Sequence, residues 1–241
     1  MPTETALALV VRGTDWSETS RIVTLFTREF GKVRALAKGG RRLKSSFEVA
    51  LDLLTVCRVA FIRKAHGGLD LLTEAMVAER FPRLPLDMKS LYTGYYAAEL
   101  LADGTQDYDP HPTLFDSALA LLRLPDATPG AVSAFELVWL RELGYTPRLE
   151  TCAGCGECVP EAARIGYSPQ AGGVLCTNCL PGSVDRRMLS AEARQALRRL
   201  TDGDADGLNS AARKEVRSLL AHTVSGVLGR RPKLLGYVDG A

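Results

Sequence analysis

The sequence predicts an α+β fold: a small β-barrel, then an all-helical domain that carries a four-cysteine insertion. Three observations lead there. Five short runs rich in β-branched and apolar residues, separated by glycines, fill the first third of the 241-residue chain, as in small barrels and sandwiches. After Phe81-Pro82-Arg83-Leu84-Pro85 the apolar spacing turns helical, and Pro110, Pro112, Pro125 and Pro129 fall in the gaps, outside helix interiors. Cys152-Ala153-Gly154-Cys155 and Cys176-Thr177-Asn178-Cys179 then repeat one Cys-x-x-Cys step, at the separation of about twenty residues that marks a metal site.

Residues 6–11, 21–27 and 32–38 read as strands, with Gly31 offering a hairpin turn into the third. The runs 49–62 and 69–77 follow, parted by His66-Gly67-Gly68. Five strands in about eighty residues is the size of an OB-type barrel, so residues 1–80 are expected to form an OB-fold nucleic-acid-binding domain. Residues 81–241 are expected to be helical over 88–101, 113–124, 131–143, 189–200 and 211–228, with the metal segment at about 150–182. In the last helix Ala212, Val216, Leu219, Leu220, Val224 and Val227 form one stripe, as on an amphipathic helix packed on a core.

Two Cys-x-x-Cys turns can close four thiolates around one ion, and a closed tetrahedron has no position left for water or substrate. One structural Zn2+ held by Cys152, Cys155, Cys176 and Cys179 is therefore expected. Cys158 also forms a Cys-x-x-Cys step with Cys155. Gly156 follows Cys155, whereas Val159 follows Cys158, and glycine accepts the positive φ such a turn needs. Cys158 is accordingly read as a spare. A set of reduced cysteines, or two disulfides, is the competing reading. The N-terminus has neither a basic n-region nor a long apolar run, so a cytoplasmic location is expected, and there metal is favoured over disulfides. Cys57, alone in an apolar run, reads as core.

With 46% hydrophobic and 24% charged residues, the composition is that of an ordinary globular protein. No stretch approaches the roughly eighteen apolar residues of a membrane span. The net charge of +2 is segregated into +4 over residues 1–80, −5 over 81–150 and +3 over 151–241. Basic ends around an acidic middle suggest a polyanionic partner.

From Arg28 to Lys44 the chain carries Arg28, Lys32, Arg34, Lys38, Arg41, Arg42 and Lys44 against the single acid Glu29. On a strand Lys32, Arg34 and Lys38 share one face, while Val33, Ala35 and Ala37 share the other. Such a ridge suits a nucleic-acid groove, because cations release condensed counterions from phosphates. A lysine-guarded strand edge is the bland alternative. Phe30, Phe47 and Trp16 are the plausible stacking platforms, and Phe26 and Phe61 read as core. Further on, Arg186, Arg187, Arg194, Arg198 and Arg199 surround a helix whose buried side would be Leu189, Ala193, Leu197 and Leu200. That leaves Arg194, Arg198 and Arg199 as further candidate nucleic-acid contacts, through phosphates. Arg230, Arg231 and Lys233 add a third knot.

Signals for catalysis fail. Asp202, Asp204 and Asp206 imitate the start of a calcium loop, but its twelfth position is Arg213 where a bidentate Glu is required. There is no phosphate-binding Gly-rich loop and no His-Glu-x-x-His, and His66, His111 and His222 are scattered. No catalytic residue and no small-molecule substrate are expected.

The runs Ser20-Arg21-Ile22-Val23-Thr24-Leu25-Phe26-Thr27 and Phe30-Gly31-Lys32-Val33-Arg34-Ala35-Leu36-Ala37-Lys38-Gly39, with Lys44-Ser45 and Leu72-Thr73-Glu74-Ala75, resemble the bacterial RecO family of DNA repair proteins. Gly172-Gly173-Val174-Leu175-Cys176 and the paired Cys-x-x-Cys steps resemble the zinc segment of its zinc-bearing members. The resemblance covers nearly the whole chain. It implies a non-enzymatic recombination mediator that binds single- and double-stranded DNA and anneals complementary strands. It also implies partnership with RecR and with single-strand-binding protein in loading the RecA recombinase. The alternative kept beside it is a zinc-containing protein-interaction adaptor with weak DNA affinity, docking through its acidic middle.

Overall fold

The computed structural model describes residues 3–40, 47, 49–64, 68–126, 128–162, 164–204 and 209–239. By compactness the chain parts into two units, 1–126 and 127–241. The division falls later than the proline-rich break at 81–85, so the first two helices belong with the barrel.

In the first unit, strands β1 (Thr3–Asp15), β2 (Arg21–Thr27), β3 (Gly31–Ala37), β4 (Val56–Ile62) and β5 (Asp70–Glu79) close a barrel in the order β1-β2-β3-β5-β4. The β3–β5 pair is parallel and the other pairs antiparallel. A bulge between Val10 and Arg12 bends β1 where it leaves β4 and continues along β2, as bulges do at barrel corners. Ala8, Val10, Val23, Leu25, Val33, Ala35, Ala37, Cys57, Val59 and Phe61 fill the interior. Alanines are frequent among them because a five-stranded barrel leaves little room inside.

The run 49–55 is not strand. Ala50 and Leu51 bond back to the carbonyl of Phe47, and Thr55 to that of Asp52. Successive turns thus drop Phe47, Ala50 and Leu51 into the core one at a time. A short apolar run does not by itself distinguish a strand from buried turns.

Helices α1 (Met88–Gly104) and α2 (Pro112–Arg123) complete this unit. Asp87 caps α1 by accepting from the Ser90 amide, and Pro112 opens α2, where a missing N–H costs nothing. Leu9, Val11 and Phe26, on the outer side of β1 and β2, are buried as well, and Phe26 stacks on Phe115 of α2 at 6.3 Å. The loop between the helices lies along β3. Asp107 forms a parallel bridge with Lys32, and the Tyr108 amide donates to the Lys32 carbonyl at 2.9 Å. A side chain at Gly31 would collide with the Asp109 carbonyl, its Cβ falling 1.9 Å from that oxygen.

In the second unit α3 (Pro129–Glu142), α4 (Ala191–Thr201) and α5 (Ser210–Leu228) pack together, with a short α6 (Leu235–Asp239). Thr128, Ser190 and Asn209 cap them through side-chain oxygens, each satisfying an otherwise orphaned N–H. Glu136 of α3 is fully buried and pairs with Arg217 of α5, which also reaches Asp239 of α6 at 2.5 Å. Between α3 and α4 lies a sheet that the helical spacing did not foretell: β6 (Arg164–Ser168), β7 (Gly173–Leu175) and β8 (Arg187–Ser190), in the order β7-β6-β8. Residues 189–190, expected as helix, are the end of β8, and the helix starts at Ala191.

Candidate metal centre and nucleic-acid face

The sheet of the second unit brings the two cysteine turns together. The Ala153 amide donates to the Val174 carbonyl at 2.8 Å, and the Cys176 amide donates to Cys152 Sγ at 3.3 Å. In the first turn Gly156 N–H returns to the Cys152 carbonyl at 2.8 Å, with Gly156 at φ +79°. In the second, Cys179 and Leu180 both donate to the Cys176 carbonyl. A Cβ at Gly154 would lie 3.1 Å from Cys179 Sγ, so this turn sits tightly against the opposite thiol.

Cys152, Cys155, Cys176 and Cys179 consequently place their sulfurs within 4.8 Å of one another, close enough to hold one metal ion. Desolvation pushes the Cys152 thiol up, but amides of Cys176, Cys155 and Gly154 outweigh it and bring it down to about 6. Bonding to its fellow thiols, Cys176 first, pushes Cys179 up to about 12. Four thiols this near cannot all ionise without a cation among them. Cys158 is exposed, bridges to Thr151 through its backbone and is not one of the four. Cys57 is buried in the barrel, donates to the Ala50 carbonyl at 2.7 Å, and is pushed up to about 12 by burial.

On the barrel, β3 alternates as expected. Val33, Ala35 and Ala37 are fully buried, while Arg34 and, just past the strand, Lys38 are exposed. Lys32 departs from the expectation. Its ammonium donates to the carbonyls of Ala102 and Thr105 at 3.1 and 2.5 Å and pairs with Asp107 at 3.3 Å. It satisfies the C-terminal carbonyls of α1 and is withdrawn from the surface. Arg28 stays exposed but makes two 3.0 Å bonds to Asp116 of α2, which raise it further and lower the carboxyl. Arg41, Arg42 and Lys44 lie outside the described residues.

The sequence did not single out Arg63 and Lys64, both exposed at the start of the β4–β5 loop. Arg63 stands 3.7 Å over the Tyr108 ring. The Lys64 amide donates to Asp70 at 2.9 Å, and Asp70 registers with Ala35 of β3, next to Arg34. An adjacent Arg-Lys pair shortly before Gly67-Gly68 in the sequence was the available signal. Of the expected stacking platforms, Trp16 in the β1–β2 loop is 66% exposed, whereas Phe47 is in the core and Phe30 packs edge-on against Phe61.

Arg194 corrects the reading of the second basic cluster. It is 1% exposed and donates to the carbonyls of Leu149, Val159 and Pro160. A helix arginine is thus a core strut that satisfies three carbonyls flanking the first cysteine turn. Arg198 pairs with Glu150 and Glu161 at 2.5 and 2.7 Å, and Arg199 with Asp204 at 2.7 Å. Three acids of the middle are likewise paired within their own unit: Asp103 with Arg12, Asp107 with Lys32 and Asp116 with Arg28. Among the described residues no helix is long and apolar enough to cross a membrane.

Two family models match, "Recombination protein O N terminal" over residues 1–81 and "Recombination protein O C terminal" over residues 85–235. Among curated relatives, a DNA repair protein RecO of Rhodopirellula baltica is 36% identical over 96% of this chain and 97% of its own. That of Anaeromyxobacter dehalogenans is 35% identical over 96% and 94%. That of Myxococcus xanthus is 32% identical over 96% and 95%.

Proposed function

This chain belongs to the RecO family of DNA repair proteins, and we propose that it is a non-enzymatic mediator that binds single- and double-stranded DNA and anneals complementary strands. Its barrel contacts the sugar–phosphate backbone through Arg34 and Lys38, joined by Arg63 and Lys64, with Trp16 offering a ring at the rim. One observation carries the reading: the outer face of β3 exposes Arg34 and Lys38 beside a second exposed cation pair at the β4–β5 loop. In OB barrels this face and these loops receive oligonucleotides. Neutralising phosphates on two strands lowers their mutual repulsion and holds them near enough to test pairing. By family analogy the chain works with RecR and single-strand-binding protein in loading RecA.

The metal we assign is one structural Zn2+. Zinc–thiolate bonds of about 2.3 Å in a tetrahedron put sulfurs about 3.8 Å apart, and Cys155 and Cys176 stand 3.8 Å apart. The four residues fit that ion and would hold the β6–β8 segment in shape. Four thiolates leave no coordination position for a reactant.

Fluorescence anisotropy of labelled oligo(dT) across a salt series tests the reading. A mediator binds with a steep salt slope and speeds annealing of complementary oligonucleotides without added nucleotide. An adaptor binds weakly and leaves annealing at the protein-free rate. The pairing of Asp103, Asp107 and Asp116 with cations of their own unit weighs against the adaptor, because it neutralises part of the acidic surface that reading needs.

A further inference from the structure

One face of α5 borders a cleft of about 790 Å3 in the second unit. Among the described residues Arg187, Arg213, Lys214, Arg217, His222 and Arg231 line it, against one carboxylate, Asp239, which is bonded to Arg217. Arg187, Lys214 and Arg231 are exposed. Along the helix, Ser210, Lys214, Ser218 and His222 line the cleft one turn apart, with His222 Nδ1 3.2 Å from the Arg187 guanidinium. From Ser210 to His222 that ladder runs about 18 Å at the helical rise. His222 also lines a second cleft of about 630 Å3, together with Arg148 and Tyr145. Tyr145 is 53% exposed.

From this ladder we propose that the cleft along α5 binds a second polynucleotide strand through its phosphates, with Tyr145 available to stack a base. The proposal rests on the reading that the chain binds DNA, and it names a site for the strand that annealing requires besides the one on the barrel. An elongated cleft whose charged lining is mostly cationic fits a repeating anion better than a single one. A polynucleotide carries its charges outward and needs only side-chain donors to meet them. The α5 wall keeps its amides within the helix, so it offers an extended peptide no main-chain partners. Phosphate contacts of this kind are insensitive to sequence.

The test uses the full chain and two strands that cannot pair, donor-labelled oligo(dT) and acceptor-labelled oligo(dC). Energy transfer between them reports two strands on one protein. The wild type is expected to give transfer. Arg187→Glu/Lys214→Glu/Arg231→Glu is expected to abolish it and to slow annealing toward the protein-free rate, while first-strand binding persists. Unchanged transfer in that variant overturns the proposal. Unchanged transfer with lost binding of a polyglutamate probe also overturns it and makes the cleft a peptide site. Should the triple variant fail to fold, Arg231→Glu alone, in the segment between α5 and α6, must lower transfer, and no effect there overturns the proposal. If wild-type chain binds neither strand, it is the underlying DNA-binding reading that fails.

Discussion

Arg194 donates twice to the carbonyl of Leu149, at 2.9 and 2.6 Å, from inside the core of the second unit. The same guanidinium holds Val159 and Pro160, so one side chain ties α4 to both ends of the first cysteine turn. Replacing it with Met removes every one of these donors while keeping most of the volume. The unsatisfied carbonyls should cost about 3 kcal/mol, read as a lower guanidinium midpoint. The DNA salt slope should not move, because a buried cation releases no counterions from DNA.

Removing a ligand should release the metal. Cys155→Ser or Cys179→Ser is expected to take metal content from about one ion per chain to near zero, measured on dialysed protein. Cys158→Ser should leave it unchanged. Loss in the Cys158 variant alone would reassign the ligand set.

How far the sequence could be read depended on whether a residue's surroundings were local. The β3 alternation and the two Cys-x-x-Cys steps are local patterns, and both reappear in space with the expected partners. Lys32 and Arg194 were misread for one shared reason. Their acceptors lie 70 and 45 positions away, and nothing beside them in the chain announces an orphaned carbonyl. The sheet β6–β8 escaped notice because its strands are three to five residues long, too short for alternation to stand out. On the barrel Arg63 and Lys64 gain meaning only through the register that places Asp70 beside Ala35.

Asp185 offers a test of pH dependence. Burial raises its carboxyl, but the Ser168 hydroxyl, the Gln170 amide and the Ser183 hydroxyl together hold it below the ordinary carboxylate value. A depressed native value means the carboxylate stabilises the fold at pH above its unfolded value, near 3.9. That contribution disappears as pH falls through the native value. Asp185→Asn should therefore unfold at lower urea than wild type at pH 7, and the gap should narrow below about pH 4. A gap constant from pH 7 to pH 3 would remove the carboxylate from the account.

Arg34 and Lys38 should separate from Lys32 in a salt titration. Arg34→Ala/Lys38→Ala is expected to flatten the log–log slope for oligo(dT) by about 1.4 units, at about 0.7 per single-strand phosphate contact. Lys32→Met is expected to leave the slope alone and lower thermal stability, because that ammonium serves the carbonyls of Ala102 and Thr105. The reverse pattern would mean that Lys32 leaves its niche to reach DNA.

The pair Arg28–Asp116 makes a prediction of opposite sign. Arg28 belongs to the turn that leads into β3, on the approach to the cationic face, but Asp116 occupies its guanidinium with two parallel bonds. A phosphate competing for Arg28 must first displace that carboxylate. Asp116→Asn keeps the shape of the partner and removes its charge, so the cation becomes available to DNA. Binding of oligo(dT) should tighten, and the salt slope should steepen by about 0.7 unit. The pair is exposed on both sides, where ion pairs add little to stability, so the melting temperature should hold. Adding Arg28→Ala to the Asp116 variant must cancel the gain. If affinity rises without Arg28, the effect is a general loss of negative charge, and Arg28 does not belong to the DNA-binding face.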